Sequence, residues 1–412
     1  MTPARSIAEV INSGLCIGCG LCEAVTGGWV PMRMTEYGAM RPVVADEFAS
    51  DEEEKLLSAC PGTVAISREA PGLVPDPIWG AMTSAGYAWA GDAEIRHRAA
   101  TGGVLTALGV HLLKSGRAAF ILHLGADPDA PMRSHGVIST TPDSVVANAG
   151  SRYGPTTPLA GLEQALVKGK PFAVIAKPCD MGAIHALAKT DPRVDRLIVA
   201  RLVMVCGGQS RLGKSRDLLD EFGLAEEEVT LFRYRGYGNP GRTRVETQDG
   251  RAFEKSYNEL WEDETGWQLE TRCKMCPDAL GEAADIAALD VWPGGGPVGE
   301  DAGFNGIVVR NTQAAALVQS AVDAGDLVLG DEITPEMMND FQPHQVRKKH
   351  AFAARMAGRR AAGLPEIATA GLRLDELGDV LDPAASEAEK AGAQRRAETG
   401  RMTEPIPGAR DT

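Results

Sequence analysis

Cysteine spacing constrains this chain more than any other feature. Three thiols stand two residues apart in Cys16-Ile-Gly-Cys19-Gly-Leu-Cys22, and a fourth comes later with a proline, in Cys60-Pro61. Short glycine-bearing loops let successive sulfurs converge on one face of a cubane. A distant Cys-Pro is the usual last ligand of ferredoxin-type sites. Structural zinc more often takes two separated pairs, so the three-plus-one pattern predicts a [4Fe–4S] cluster on Cys16, Cys19, Cys22 and Cys60. The chain has eight cysteines in all, and the other four are dispersed.

Charge and hydropathy limit the partners. With 42 Lys and Arg against 56 Asp and Glu, the 412-residue chain carries a net charge of −14. That balance disfavours nucleic acid and anionic membranes. The first sixteen residues hold no apolar run long enough for a signal peptide. The longest apolar run, Leu197 to Cys206, is interrupted by Arg201 and is too short to span a bilayer. The expected location is therefore the cytoplasm, where thiols stay reduced and cysteine groups argue for metal rather than disulfides.

Along the chain, residues 1–75 are expected to form a small ferredoxin-like unit, with short strands at Met40–Val44 and Thr63–Ile66 and an acidic helix over Ala45–Ser58. A proline-rich linker follows at Pro71–Pro77. Helix and strand patterns then alternate. Helices are expected at Gly102–Leu113, Leu159–Val167, Met181–Ala188 and Thr312–Ala324. Strands are expected at Ala118–Leu124, Phe172–Ala176 and Leu197–Cys206. This order predicts an α/β class (α+β overall) with a mixed or parallel sheet. It suggests units at 76–165 and 166–350, with hairpins and loops over 231–270. Residues 351–412 read as a helical or disordered tail, with disorder over the last fifteen or so.

Cys179 and Cys206 each follow an apolar strand. If those strands are parallel, both thiols lie at carboxyl ends on one edge of the sheet, where α/β folds bind ligands. Cys273-Lys-Met-Cys276-Pro277 supplies two more. The set suffices for a second cubane, although a buried core thiol is the plain alternative for Cys206.

With these pieces in order, the chain resembles the family of the coenzyme F420 hydrogenase/dehydrogenase beta subunit, which also includes chlorophyll-pathway reductases of plants and cyanobacteria. The resemblance rests on both cysteine groups, Thr101-Gly-Gly103, Ser151-Arg-Tyr153, Lys177-Pro-Cys179-Asp180, Cys206-Gly-Gly-Gln-Ser210, and the run from Cys273 through Glu282 and Asp285 to Asp290-Val-Trp292. It spans roughly residues 10–345. The C-terminal extension lies outside the family core, and the stretch Arg233–Gly241 departs from the chlorophyll-pathway members, which leaves the substrate open. The resemblance implies FAD, one or more [4Fe–4S] clusters and two-electron chemistry on a conjugated organic molecule or a deazaflavin coenzyme.

Residues for the flavin follow. Thr101, Gly102 and Gly103 open a helix whose amides and dipole suit a pyrophosphate, with Thr101 as cap. Ser151, Arg152 and Tyr153 offer a phosphate partner and a stacking ring, or else a plain turn between Gly150 and Gly154. Lys177 offers a cation for a reduced flavin. His123 and His135 are candidate proton donors, although a lone histidine is more often structural. Asp285 and Asp290 orient the last cysteine loop or simply solvate it. The expected route runs from a ferredoxin or another redox protein, through two clusters, to FAD and a substrate, or in reverse. Two other readings are an electron-transfer subunit without a substrate of its own, and a zinc-stabilised binding protein.

Overall fold

The structure, a computed structural model, describes residues 2–44 and 50–405. Its centre is an eight-stranded mixed sheet. In chain order its strands are β1 (Ser84–Ala90), β2 (Phe120–Ala126), β3 (Ser134–Ser139), β4 (Phe172–Ala176), β5 (Ile198–Met204), β6 (Ile286–Asp290), β7 (Asn305–Val309) and β8 (Leu327–Glu332). Across the sheet they run β8-β1-β7-β6-β5-β4-β2-β3. The central run β6-β5-β4-β2 is parallel, and antiparallel strands extend both flanks.

Local composition explains the centre. β4 reads Phe-Ala-Val-Ile-Ala and β6 opens Ile-Ala-Ala-Leu, the unbroken apolar runs required by strands covered on both faces. Neighbouring residues of a strand face opposite sides. Ala173 and Leu202 pack with helix α1 (Val104–Lys114), whereas Val174 and Val203 pack with helix α2 (Pro178–Leu187). The parallel centre also brings the carboxyl ends of β4, β5 and β6 to one edge, and that edge builds the site.

Several expectations need revising. β1, from the expected 76–165 unit, lies between β7 and β8 of the expected 166–350 unit, so the two share one sheet and one core. The acidic helix runs Ser50–Ala59, and residues 45–49 of the expected Ala45–Ser58 span lie outside the described residues. The 231–270 region, by contrast, holds hairpins as expected, in a small three-stranded antiparallel sheet of Val229–Arg233, Thr243–Thr247 and Ala252–Lys255.

The largest revision concerns the tail. Helices α3 (Pro343–Ala361) and α4 (Pro383–Glu398) pack on each other and on the N-terminal unit. Ala368–Ala370 pairs in parallel with Val64–Ile66. Val10, Leu15, Phe352, Met356, Ala393 and Met402 share one apolar core. Of the stretch expected to be disordered, the part up to Pro405 is docked: Met402 is buried and the Glu404 amide donates to the Asn12 carbonyl at 2.9 Å. Residues 406–412 lie outside the described ones. An Ala-, Glu- and Arg-rich sequence carries little apolar signal, so the few buried contacts that dock it were not legible. Among the described residues no helix is long and apolar enough to cross a membrane.

Candidate redox site

All eight cysteines are free thiols. Cys16, Cys19, Cys22 and Cys60 line one small, almost wholly apolar cavity. Gly18 holds its loop at φ +68°, and a Cβ there would stand 2.6 Å from the Met40 carbonyl oxygen, so only glycine fits. Burial pushes the Cys16 thiol up to about 12 and raises Cys19, Cys22 and Cys60 in the same direction. Cys179 lies in the first turn of α2, directly after β4, and Cys206 lies just past β5. The charges of Cys273 and Cys276 reach Cys206, and Cys206 in turn reaches Cys179. Burial raises Cys179, Cys206 and Cys273 as well, Cys206 to about 12.

Among the described residues no group of three or more His, Cys, Asp and Glu side chains is gathered tightly enough for a single metal ion. Tetrahedral zinc, with Zn–S bonds of about 2.3 Å, draws its sulfurs to within roughly 4 Å of one another. A cubane is a larger body, held by thiolates at its corners.

A polar chain joins the two groups to a larger cavity. The Gln209 amide donates to Cys273 Sγ at 3.4 Å, and its side-chain Nε2 donates to the Ile17 carbonyl, between Cys16 and Gly18, at 3.1 Å. Gln209 Oε1 accepts from Thr156 Oγ1 at 3.1 Å, and that hydroxyl accepts from Lys177 Nζ at 2.8 Å. Lys177 also pairs with Asp180 at 3.1 Å. Burial works to lower the ammonium's pKa, but Asp180 and then Cys179 outweigh it and hold Lys177 above its usual range. Lys177 is therefore a fixed cation.

The cavity, about 300 Å³, opens along the carboxyl edge of the sheet. Its wall includes Thr101, Gly103, His123, Ser151, Arg152, Tyr153 and Lys177, and of the eight cysteines only Cys206. Gly102 lies just behind it. There a Cβ would come within 2.9 Å of backbone atoms of Ala88, Phe304 and Asn305. Gly102→Ala is expected to displace this loop at a cost of about 1–3 kcal/mol; flavin content per chain, measured beside the melting temperature, checks it.

Three sequence expectations change here. Thr101 does not cap the helix: Gly103 does, and the Thr101 hydroxyl donates to Asp290 Oδ1 at 2.5 Å. Arg152 spends its guanidinium on Ser134 Oγ and the carbonyls of Phe232, Pro131 and Arg133, so it braces the wall instead of offering a phosphate fork. His135 is exposed on edge strand β3, outside the cavity wall.

His123 faces the cavity and is 6% exposed, with Nε2 2.7 Å from Ser139 Oγ. Burial lowers its pKa from 6.5 to about 4. The folded imidazole stays neutral where the unfolded one is charged, so its stability contribution is complete above pH 6.5 and is lost as pH falls toward 4. His123→Gln is expected to remove about 2–3 kcal/mol of acid sensitivity between pH 7 and 4.5, read from denaturant titrations of both proteins.

Sequence reasoning missed Arg235 altogether. It is buried against the rings of Tyr257 and Trp292, at 5.1 and 5.0 Å, and pairs with Asp290 at 2.9 Å. Its stretch is rich in glycine and aromatics and read only as loop. Asp290, at the carboxyl end of β6, thereby ties Thr101 and Arg235 together at the cavity wall. The indole Nε1 of Trp292, another wall residue, is buried and has no hydrogen-bond partner among the described residues.

A mixed α/β sheet whose cysteine-bearing edge opens on such a cavity has parts that suit redox chemistry. The comparisons make this specific. Residues 85–163 match the N-terminal region, and residues 169–334 the C-terminal region, of the coenzyme F420 hydrogenase/dehydrogenase beta subunit; the chain belongs to that family. It is 27% identical over 223 residues to an F420-dependent formate dehydrogenase 1 subunit beta of Methanococcus maripaludis, covering 53% of each chain. It is 22% identical over 310 residues to a subunit of the F(420)H(2) dehydrogenase of Methanosarcina mazei, covering 74% of this chain and 81% of that one. The matched region thus spans about half of the formate dehydrogenase subunit. A chain of the F420-reducing [NiFe] hydrogenase complex from Methanosarcina barkeri shares the fold, with a TM-score of 0.56 at 19% identity, over 72% of this chain and 98% of that one. The N-terminal cysteine unit and the helical C-terminal extension lie outside the two matched regions, and they pack on each other.

Proposed function

We propose that the chain is an iron–sulfur flavoprotein oxidoreductase. On this reading Cys16, Cys19, Cys22 and Cys60 hold one [4Fe–4S] cluster and Cys179, Cys206, Cys273 and Cys276 a second, with FAD in the large cavity. The observation that carries it is the serial placement. Gln209 bonds the Cys273 sulfur and the backbone of the first group's loop at Ile17, and Cys206, on this reading a ligand of the second cluster, lines the cavity wall. The residues suit these groups. All eight cysteines are free thiols; four line one small cavity, and the other four are coupled to one another electrostatically. The cavity combines a helix N-terminus, a fixed cation and aromatic walls.

When bound, clusters carry single electrons and a flavin converts between one- and two-electron traffic. The chain's own residues do the rest. Amides at the start of α1 and the glycine turn before it receive phosphate. Lys177 keeps positive charge at the cavity floor, which favours an anionic reduced ring. Asp290 and Arg235 fix one wall. Tyr257 and Trp292 exclude water beside a planar, conjugated substrate, for which the family suggests a deazaflavin. Neutral His123 orients through Ser139, and its low pKa makes it a hydrogen-bond partner near neutrality instead of a cationic acid.

Anaerobic mixing with a reduced low-potential one-electron donor of the ferredoxin class tests this. The reading expects the flavin absorbance to bleach after the cluster absorbance. A flavin reduced only by direct chemical reductants, never through the thiol-bound iron, would contradict it. A second reading, an electron-transfer subunit without its own substrate, draws on the relatives named as subunits of larger dehydrogenases. It expects a lasting stoichiometric partner on purification and no turnover of free substrate.

A further inference from the structure

Arg272 occupies a place that no role above explains. It sits in the short helix Thr271–Lys274, next to Cys273, and is 2% exposed. Its Nε and Nη2 both donate to one acceptor, the Pro61 carbonyl, each at 3.0 Å. Pro61 directly follows Cys60 of the first cysteine group. Cys276, Cys179 and Cys273 of the second group also lie within electrostatic reach of the guanidinium, Cys276 within hydrogen-bond reach, and its charge reaches Cys60 as well. Among the described residues it forms no salt bridge with a carboxylate. Its neighbours are better served: Arg41 and Arg211 pair with Glu270, and Arg235 with Asp290. Arg310 also lacks a carboxylate within salt-bridge reach, but it spreads its donors over the carbonyls of Trp79, Ala81 and Leu280. Arg272 has one carbonyl and sulfurs.

A buried cation without a counter-charge is costly, and neutral thiols do not supply one. Thiolates on a cubane do. Four thiolates outweigh the charge of an oxidised [4Fe–4S] core, so the assembly is net negative and gains a further negative charge on reduction. Two such bodies close together repel, and reducing either makes the other harder to reduce. A single cation beside both offsets that negative charge and makes each easier to reduce.

We infer that Arg272 is the charge bridge between the two cluster sites, a positioning residue that raises the reduction potential of both clusters. This rests on the two-cluster reading given above. Gln209 also spans the two groups but is neutral, so it supplies a hydrogen bond to Cys273 without the charge.

The test is an anaerobic EPR-monitored redox titration of the full chain, with iron counted on the same samples. Arg272→Met keeps the length and removes the charge; both midpoints are expected to move to more negative potentials at unchanged iron content. Arg272→Lys keeps the charge and loses the paired bonds to Pro61, and is expected to hold both midpoints near the parent values. Should the Met variant lose iron, Arg272→Gln takes its place, and equal midpoints for Gln and Lys would overturn the proposal. Midpoints unmoved in the neutral variant, or a shift confined to one cluster, would also overturn it while leaving the two-cluster reading intact. About four irons in the parent chain would remove that reading, and the bridge with it.

Discussion

Arg41→Ala is expected to lower the stability of the chain by about 3–5 kcal/mol. Arg41 is 4% exposed and lies between two acids, Glu270 and Glu404, whose side chains are 0% and 2% exposed. It donates to Glu270 at 2.8 Å and, through Nε, to Glu404 at 2.8 Å. Arg211 stands further off, 3.5 Å from Glu270 and 3.8 Å from Glu404, and Tyr37 donates to Glu404 at 2.5 Å. Removing Arg41 leaves two buried carboxylates sharing one cation, Arg211, through its longer contacts. The loss should appear as a fall in the denaturation midpoint. Arg244→Ala, which breaks pairs with Glu246 and Glu254 at the surface, should leave that midpoint unmoved, because exposed pairs gain little over solvent. Glu404 belongs to the C-terminal segment and Arg41 to the N-terminal unit, so the variant also tests whether that segment clasps the first cysteine group.

The second large effect is on electron flow. Cys60→Ala and Cys206→Ala are each expected to remove about four irons per chain, with opposite consequences for the flavin. Without Cys60, the second cluster still lies beside the cavity, and the flavin signal should persist while reduction by a ferredoxin-class donor falls by orders of magnitude. Without Cys206, a wall residue of the cavity is altered too, so flavin content should fall with the iron. Iron and flavin counts on both variants, with a donor-reduction rate for each, separate these outcomes. Full iron retention in Cys206→Ala would identify Cys206 as a core thiol instead.

Much of this molecule was legible in its sequence, for particular reasons. Phe172–Ala176 is bounded by Pro171 and Lys177-Pro178 and has no polar residue, so its strand matched the expectation residue for residue. The helix over Thr312–Asp323 was equally plain, with Asn311 capping it through the Ala314 amide. The cysteine pattern stated the first group outright. What escaped was long-range pairing. Nothing local in Ser84–Ala90 says that it threads between β7 and β8 and merges two expected units into one sheet. Nothing in the charged C-terminal stretch says that Glu404 returns to Arg41, 363 residues away. Arg152 and Arg235 carry the complementary lesson. The motif that held Arg152 suggested a phosphate partner, yet backbone carbonyls take up its donors, while Arg235, in a stretch read only for its loops and hairpins, sits in the cavity wall against two aromatic rings. Burial and partner choice decide such roles, and neither is written in spacing.

The central claim is that two cysteine quartets and one flavin cavity stand in series. The most direct measurement is iron, acid-labile sulfide and flavin per polypeptide, on one sample of the full chain purified without oxygen. The account predicts about eight irons, about eight sulfides and about one FAD. Zinc in place of iron, with no flavin, would contradict it.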